Sequence, residues 1–352
     1  MACVSIPDVR LAGIAAAVPP MRRMTFDELG IPADRFKRAR AFNRQPAVRS
    51  AKWEQCQSDF CQRAAEGLLK DLGWSATEVD VIVMVTITPD YPIPATAIIM
   101  QDRLGMKKTS LAFDLPGSTT TFLHGMQLVA SMLSAGNLKR GLLLCGEVSK
   151  IAEGAEGIEN VEYICGHNGG VCALEHTPGA DPMIFHSGGD GSKAQAFYMP
   201  VGGTRCPPRP EMFADGDSAA FENPAVQFTL DVGACHEVAN RELPLSTRAV
   251  LAHAGKTVSD VDLCFVQPMG IDAEEELRAT LGLRKDRFHG FTYEYGSGGS
   301  GGILLAMLAR AASQLQSGPR TSLLTSIGAG LAWGSALINT DRLVCPDLIE
   351  MS

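Results

Sequence analysis

Between Asp80 and Ile87 the sequence reads Asp-Val-Ile-Val-Met-Val-Thr-Ile. A run this apolar has no polar face to turn to water, so as a strand it must be covered on both sides, the condition of a largely parallel sheet. Parallel neighbours need long crossovers, normally helices, and the flanking sequence supplies them. Cys56 to Leu72 places Phe60, Ala64, Leu68 and Leu72 on one helical face, and Gly73 stops it. Ala95 to Leu104 predicts the next helix, Leu111 to Phe113 a buried strand, Thr119 to Ala135 a helix and Gly141 to Gly146 a strand. Ahead of these, Val9 to Val18 predicts a strand ended by Pro19-Pro20, and Thr25 to Leu29 a short capped helix.

The alternation then repeats. Gly169 to Leu174 and Ala225 to Leu230 read as strands, Ala234 to Ala254 as a long helix, Asp262 to Val266 as a strand and Asp272 to Leu281 as a helix. A Gly-rich turn at Tyr295 to Gly302 leads into another helix, and Ser322 to Ile327 and Ala332 to Ile338 predict the closing strands. The turn-rich Thr177-Pro-Gly-Ala-Asp-Pro182 is the natural divide, giving α/β halves at residues 1–177 and 178–352.

Composition narrows the function classes. The 352 residues are 45% hydrophobic and 20% charged, with no apolar stretch of about 18 residues, so a soluble protein with an ample core is expected and no membrane partner. A net charge of −8 argues against nucleic acid, whose phosphates call for clustered Lys and Arg. The basic run Arg35 to Arg40 reads as an exposed helix face. The start, Met1-Ala-Cys-Val-Ser-Ile-Pro-Asp, lacks the basic region and apolar run of a secretory signal, and the ten cysteines are scattered, which predicts a reducing cytoplasm. Cys145, Cys165, Cys172 and Cys264 lie in apolar runs as small hydrophobes, and no metal is assigned to any residue.

Leu111 to Met126, Leu-Ala-Phe-Asp-Leu-Pro-Gly-Ser-Thr-Thr-Thr-Phe-Leu-His-Gly-Met, is a strand that stops at Pro116-Gly117 and restarts as a helix. Ser118 and Thr119 therefore stand at a helix start. Free backbone N–H groups and a partial positive charge there suit a nucleophile or a developing oxyanion; a plain N-cap is the alternative.

Val83 to Ala97, Gln101-Asp-Arg-Leu-Gly105, Phe113-Asp114, Leu142 to Ser149, Asp190-Gly-Ser192, Tyr295-Gly296 and Gly328-Ala-Gly-Leu-Ala-Trp-Gly-Ser335, in that order, closely resemble β-ketoacyl-acyl-carrier-protein synthase III of the thiolase superfamily. The resemblance spans nearly the whole chain. It implies a five-layered αβαβα thiolase-like fold of two similar halves, a homodimer, and acyl thioesters of coenzyme A or of acyl-carrier-protein phosphopantetheine as substrates, with no permanently bound cofactor. It also implies a Cys-His-Asn triad that condenses an acyl group with a decarboxylated malonyl thioester.

Carried over position by position, that triad is replaced. Thr119 stands where the family has its cysteine, Pro268 where it has histidine and Ser297 where it has asparagine. Neither Pro268 nor Met269 can donate a side-chain hydrogen bond to the enolate of a decarboxylated thioester, and loss of one such donor lowers rates by about a hundredfold to a thousandfold. Ser118 or Thr119 could serve as a hydroxyl nucleophile, with Gly330 as the backbone oxyanion donor. A base is less evident. His124, five residues along the helix from Thr119, points away from the helix start, and His167 in Cys165-Gly-His-Asn-Gly-Gly170 is the more interesting candidate.

The resemblance places Phe36 and Arg40 where the family holds the coenzyme adenine, Glu159 and Ala273 where it has arginines at the tunnel mouth, and Ile93 on a loop that crosses the dimer to close the partner's acyl tunnel. Glu274-Glu275-Glu276 would repel a pyrophosphate at that mouth or simply form a solvated helix start. Two readings follow. One is a ketosynthase III-like acyltransferase of fatty-acid or polyketide metabolism without normal decarboxylative condensation. The other is a non-catalytic homologue that binds acyl thioesters or pairs with an active paralogue.

Overall fold

The computed structural model describes residues 2–23, 47–117, 119–149, 166–209, 229–267, 271–290, 295 and 297–352. Strands β1 (Val4–Ile6) and β2 (Val9–Val18) are nearly contiguous but enter different sheets. The first half continues with α1 (Gln57–Leu72), β3 (Val81–Thr86), α2 (Thr96–Arg103), β4 (Leu111–Pro116), α3 (Thr121–Ser134), β5 (Arg140–Glu147) and β6 (Asn168–His176). The second contributes β7 (Met183–Gly189), α4 (Val232–His253), β8 (Leu263–Gln267), α5 (Ile271–Leu281), β9 (Phe288–His289), α6 (Gly302–Ser317), β10 (Arg320–Gly328), β11 (Ala332–Thr340) and β12 (Ile349–Glu350).

Strand order is β12-β2-β6-β5-β3-β4 in one sheet and β1-β7-β11-β10-β8-β9 in the other. Five consecutive strands of each, all but β12 and β1, follow the same plan. The antiparallel β2–β6–β5 matches β7–β11–β10, and the parallel β5–β3–β4 matches β10–β8–β9. The expected divide at residue 177 falls between β6 and β7, while the end strands are exchanged: β1 joins the second sheet and β12 the first.

Apolar patterning sets the layers. Phe122, Met126 and Val129 of α3 and Ile303, Leu304 and Met307 of α6 form one core between the two sheets, with Val83 and Val85 from one and Phe265 and Leu324 from the other. Alternate residues of the same strands pack outward: Ile82 and Met84 with α1, Cys264 and Val266 with α4 and α5. Every residue of β3 is buried, as a strand between helical layers must be. The outcome is the five-layered αβαβα arrangement. Each fully buried Phe or Leu in it contributes about 2 kcal/mol.

Helix α1 starts with the Asp59 carboxylate accepting from the Cys56 amide at 2.8 Å and stops at Gly73 in the left-handed region, φ 66°. Cys145, Cys172 and Cys264 are buried thiols; Cys165 and the helix expected at 25–29 lie outside the described residues.

One expectation needs correcting. The strand at 111–113 is longer and is not buried: β4 is a sheet edge, with Leu111 46% exposed, so its outer row of backbone groups has no strand beside it among the described residues. Strand β7 has no counterpart among the elements expected from the sequence, since it follows directly on the turn-rich segment ending at Pro182, yet β1 and β11 pair on both sides of it. Of the strand expected at 225–230, Thr229–Leu230 is described, paired antiparallel with Phe197–Tyr198, and residues 225–228 lie outside the described set.

Candidate functional site

The carboxyl ends of the parallel strands from both sheets, and the starts of α3 and α6, meet in the middle layer. Open α/β sheets bind ligands outside such strand ends. After β4 the chain turns at Gly117, whose φ of 156° and close approach to the Thr121 side chain leave no room for a Cβ. It then enters α3 through Thr119 and Thr120. Neither hydroxyl caps the helix. Thr119 Oγ1 donates to the Ile327 carbonyl at 2.6 Å and Thr120 Oγ1 to the Ala332 carbonyl at 3.0 Å. The expected cap is thus a cross-tie: the helix begins at Thr121, and its preceding hydroxyls bind the carbonyls of β10 and β11 in the other half. Gly328 permits this, since a Cβ there would overlap Thr119 Oγ1.

A second cross-tie centres on Glu147, the last residue of β5. Its Oε2 accepts from Thr86 Oγ1 at 2.9 Å, the Ile87 amide at 3.0 Å and Thr88 Oγ1 at 3.1 Å, while Oε1 faces the Ser300 amide at 3.4 Å. Despite these donors, complete burial pushes its carboxyl up to about 7. Ser300 Oγ in turn accepts from the Gly146 amide at 2.8 Å and lies 3.0 Å from the Val85 carbonyl, to which it donates. Gly299, at φ 53°, lies so close to Glu147 that a Cβ would meet the carboxylate stem. Ser297 is buried beside it, and its carbonyl accepts from the Gly166 amide at 2.9 Å. Asn168 Nδ2 donates to the Gly166 and Gly298 carbonyls, at 2.8 and 3.1 Å.

At the end of β8 the pattern changes. Gln267 is 3% exposed, and neither Nε2 nor Oε1 has a hydrogen-bond partner among the described residues. Its carboxamide lies against Gly302, at the start of α6, where a Cβ would overlap it. Ser326, its register partner on β10, is buried and its hydroxyl is likewise unpartnered among the described residues.

Several expected residues can now be placed. Thr119 and Ser297 stand at the starts of α3 and α6, whereas Ser118, Pro268, Phe36, Arg40 and Glu159 lie outside the described residues, as does the basic run at 35–40. His167 is not placed as a base. The Ala51 amide donates to its Nδ1 at 2.9 Å, which puts the ring proton on Nε2, 3.1 Å from the Ser149 carbonyl; both nitrogens are engaged with backbone. His124 is partly buried and pushed down by desolvation. Gly330, at φ 131°, sits in the exposed turn between β10 and β11, two residues past Gly328. Ile93 is 84% exposed on the single chain. Ala273 is buried, Glu275 pairs with Arg278 at 2.5 Å, and Glu276 accepts from Asn240 Nδ2 at 2.8 Å.

Sequence reading passed over Glu147, Ser300 and Gln267. Glu147 and Gln267 each follow an apolar strand run directly, and that position, a polar residue closing a buried parallel strand, was the available signal.

A β-ketoacyl-[acyl-carrier-protein] synthase III of Streptomyces coelicolor is 30% identical to this chain over 286 residues, covering 80% of the chain and 82% of that protein. The chain belongs to the β-ketoacyl-[acyl-carrier-protein] synthase III family. The family model for the 3-oxoacyl-[acyl-carrier-protein] synthase III C-terminal region matches residues 251–340, which include β8, α6 and β10 of the site described above. A synthase III of Symbiobacterium thermophilum is 26% identical over 344 residues, 96% of this chain and 100% of that one. In fold, the crystal structure of a 3-oxoacyl-(acyl-carrier protein) synthase from Burkholderia xenovorans superposes with a TM-score of 0.88 at 24% identity, over 99% of each chain.

Proposed function

We propose that this chain handles acyl thioesters of coenzyme A or acyl carrier protein as a ketosynthase III-like acyltransferase of fatty-acid or related acyl metabolism, without normal decarboxylative condensation. The observation that carries this reading is Thr119. It occupies the helix start aligned with the family's nucleophile, and its hydroxyl is donated to the Ile327 carbonyl at 2.6 Å. A hydroxyl held this way is a poor nucleophile until a base or the substrate displaces that bond. On the resemblance, Pro268 and Ser297 stand where the family has the two donors that stabilise a malonyl-derived enolate, so the reaction proposed is acyl transfer through Thr119 or Ser118 without the decarboxylative step.

The buried carbonyl bond of Thr119, and the absence of any side-chain base bonded to it among the described residues, also support a second reading: a non-catalytic homologue that binds acyl thioesters or serves as partner of an active paralogue. Intact-mass analysis after incubation with short acyl-CoAs separates the two. An adduct mapped to Thr119 or Ser118, with release of free CoA, is expected of the acyltransferase; no adduct and no CoA release would sink it. Thr119→Cys is expected not to restore malonyl-dependent condensation, and vigorous condensation would overturn the assignment of positions 268 and 297.

A homodimer belongs to the same proposal. The edge strand β4 and the exposed Tyr91, Ile93, Ile98 and Leu111 form an apolar margin suited to a second copy, with strand added to strand. Ile93→Glu is expected to shift the sedimenting species towards monomer. An unchanged species would remove this margin from the interface.

A further inference from the structure

Buried polar groups in folded proteins are nearly always paired, and those that are not call for a reason. Gln267 and Ser326 are a pair of such exceptions on adjacent strands. Residues in register on neighbouring parallel strands lie about 4.8 Å apart and project to the same face. That face is the middle layer: Gln267 follows Leu263 and Phe265 along β8, and Ser326 follows Leu324 along β10, all three apolar residues belonging to the core between the sheets. Ser326 immediately precedes Ile327, whose carbonyl holds the Thr119 hydroxyl. The carboxamide itself lies on Gly302, at the N-terminus of the 16-residue helix α6.

Two uncommitted donors of this kind, one N–H and one O–H, can converge on a single acceptor oxygen. Because neither end of the amide is partnered within the described residues, turning it by 180° presents Nε2 without breaking a bond. An apolar acyl chain has no oxygen to offer, and a phosphate carries too much charge for so buried a place. A neutral carbonyl fits.

We propose that Gln267 Nε2 and Ser326 Oγ together bind the carbonyl oxygen of an acyl thioester, as a donor pair drawn from β8 and β10 in place of the side-chain donors absent at 268 and 297. This rests on the acyl-thioester reading given above. Without ligand the pair is left unsatisfied; with ligand it reads the carbonyl, so discrimination comes from the site's own orphaned groups.

The test compares S-butyryl-CoA with S-butyl-CoA, the thioether that lacks the carbonyl, by calorimetric titration of the intact protein. Wild type is expected to bind the thioester about tenfold tighter, the worth of one good hydrogen bond. Gln267→Met is expected to reduce that preference to about twofold or less while keeping the affinity for S-butyl-CoA, which also reports that the variant is folded. Ser326→Ala is expected to lower the preference in the same direction by a smaller factor. A merely structural Gln267 would lower the melting temperature when replaced; the pair proposed here predicts a rise of about 2 °C in free Gln267→Met. A tenfold preference that survives Gln267→Met, or a wild type that binds the two ligands equally, overturns the donor pair and leaves the acyl-thioester reading intact. Failure of wild type to bind either ligand instead overturns that reading, and the pair with it.

Discussion

In the first sheet, the parallel strands β3 and β5 end in Thr86 and Glu147, which bind each other at 2.9 Å. In the second, the equivalent strands β8 and β10 bring Gln267 and Ser326 together in register with no bond from either side chain among the described residues. One fold plan, used twice, has thus been filled in opposite ways. The Glu147 end is a lock, in which a carboxylate gathers Thr86, Ile87 and Thr88 from its own half and meets Ser300 from the other. The Gln267 end is open, with polar groups buried and uncommitted. A satisfied buried network rigidifies, whereas unsatisfied groups reduce stability and are retained where they serve a ligand. The contrast places the rigid wall of the site in the N-terminal half and the ligand-reading wall in the C-terminal half.

The largest expected effect comes from forcing the lock. Gly299→Ala puts a Cβ against Glu147 and requires a positive φ from an L residue, so a loss of more than about 3 kcal/mol is expected in urea unfolding. Wild-type stability would show that the α6 start is not held by Glu147.

Next is the pH dependence of the same group. Burial raises the Glu147 carboxyl in the folded chain from 4.5 to about 7, so between those values the native state holds the proton and the unfolded state does not. Its contribution is therefore full below about 4.5 and is lost as pH rises through about 7. Glu147→Gln, which cannot ionise, is expected to gain about 2 kcal/mol on wild type between pH 5 and pH 8. Parallel pH profiles for the two proteins would rule the carboxyl out as the cause.

The open end carries the opposite sign. Removing the orphaned amide with Gln267→Met is expected to stabilise the free protein by about 1 kcal/mol, read as a higher urea midpoint with unchanged slope. Destabilisation would mean that Gln267 belongs to the lock after all. Smallest is Thr119→Val, which deletes the bond to the Ile327 carbonyl at constant shape and is expected to reduce stability by about 1 kcal/mol or less. No change would make that cross-tie incidental.

Much of the fold was legible in the chain, for local reasons. The run Val81 to Thr86 could only be a doubly covered strand, Gly73 could only stop α1 in the left-handed region, and the repeated strand-helix alternation gave two similar halves. The order of motifs was enough to indicate the family. Strand β7 escaped because it follows directly on the turn-rich segment ending at Pro182; only pairing with β1 and β11 makes it a strand. Likewise β4 reads as buried from Leu111, Ala112 and Phe113, yet its place at the sheet edge is a property of strand order, which no local pattern encodes.

For the site, the residue types at positions 119 and 297, a hydroxyl side chain at each, were set by sequence alone. What their neighbours do was decided by tertiary structure. Thr119 became a tie to Ile327 rather than a helix cap because the folded chain brings β10 within 2.6 Å of its hydroxyl. His167 became a backbone-held ring because Ala51 and Ser149 converge on its two nitrogens. Glu147 and Gln267 look alike in sequence, each a polar residue closing an apolar strand. Hydrogen bonding and burial depend on what approaches from elsewhere in the chain, and that is why one closes the site and the other leaves it open.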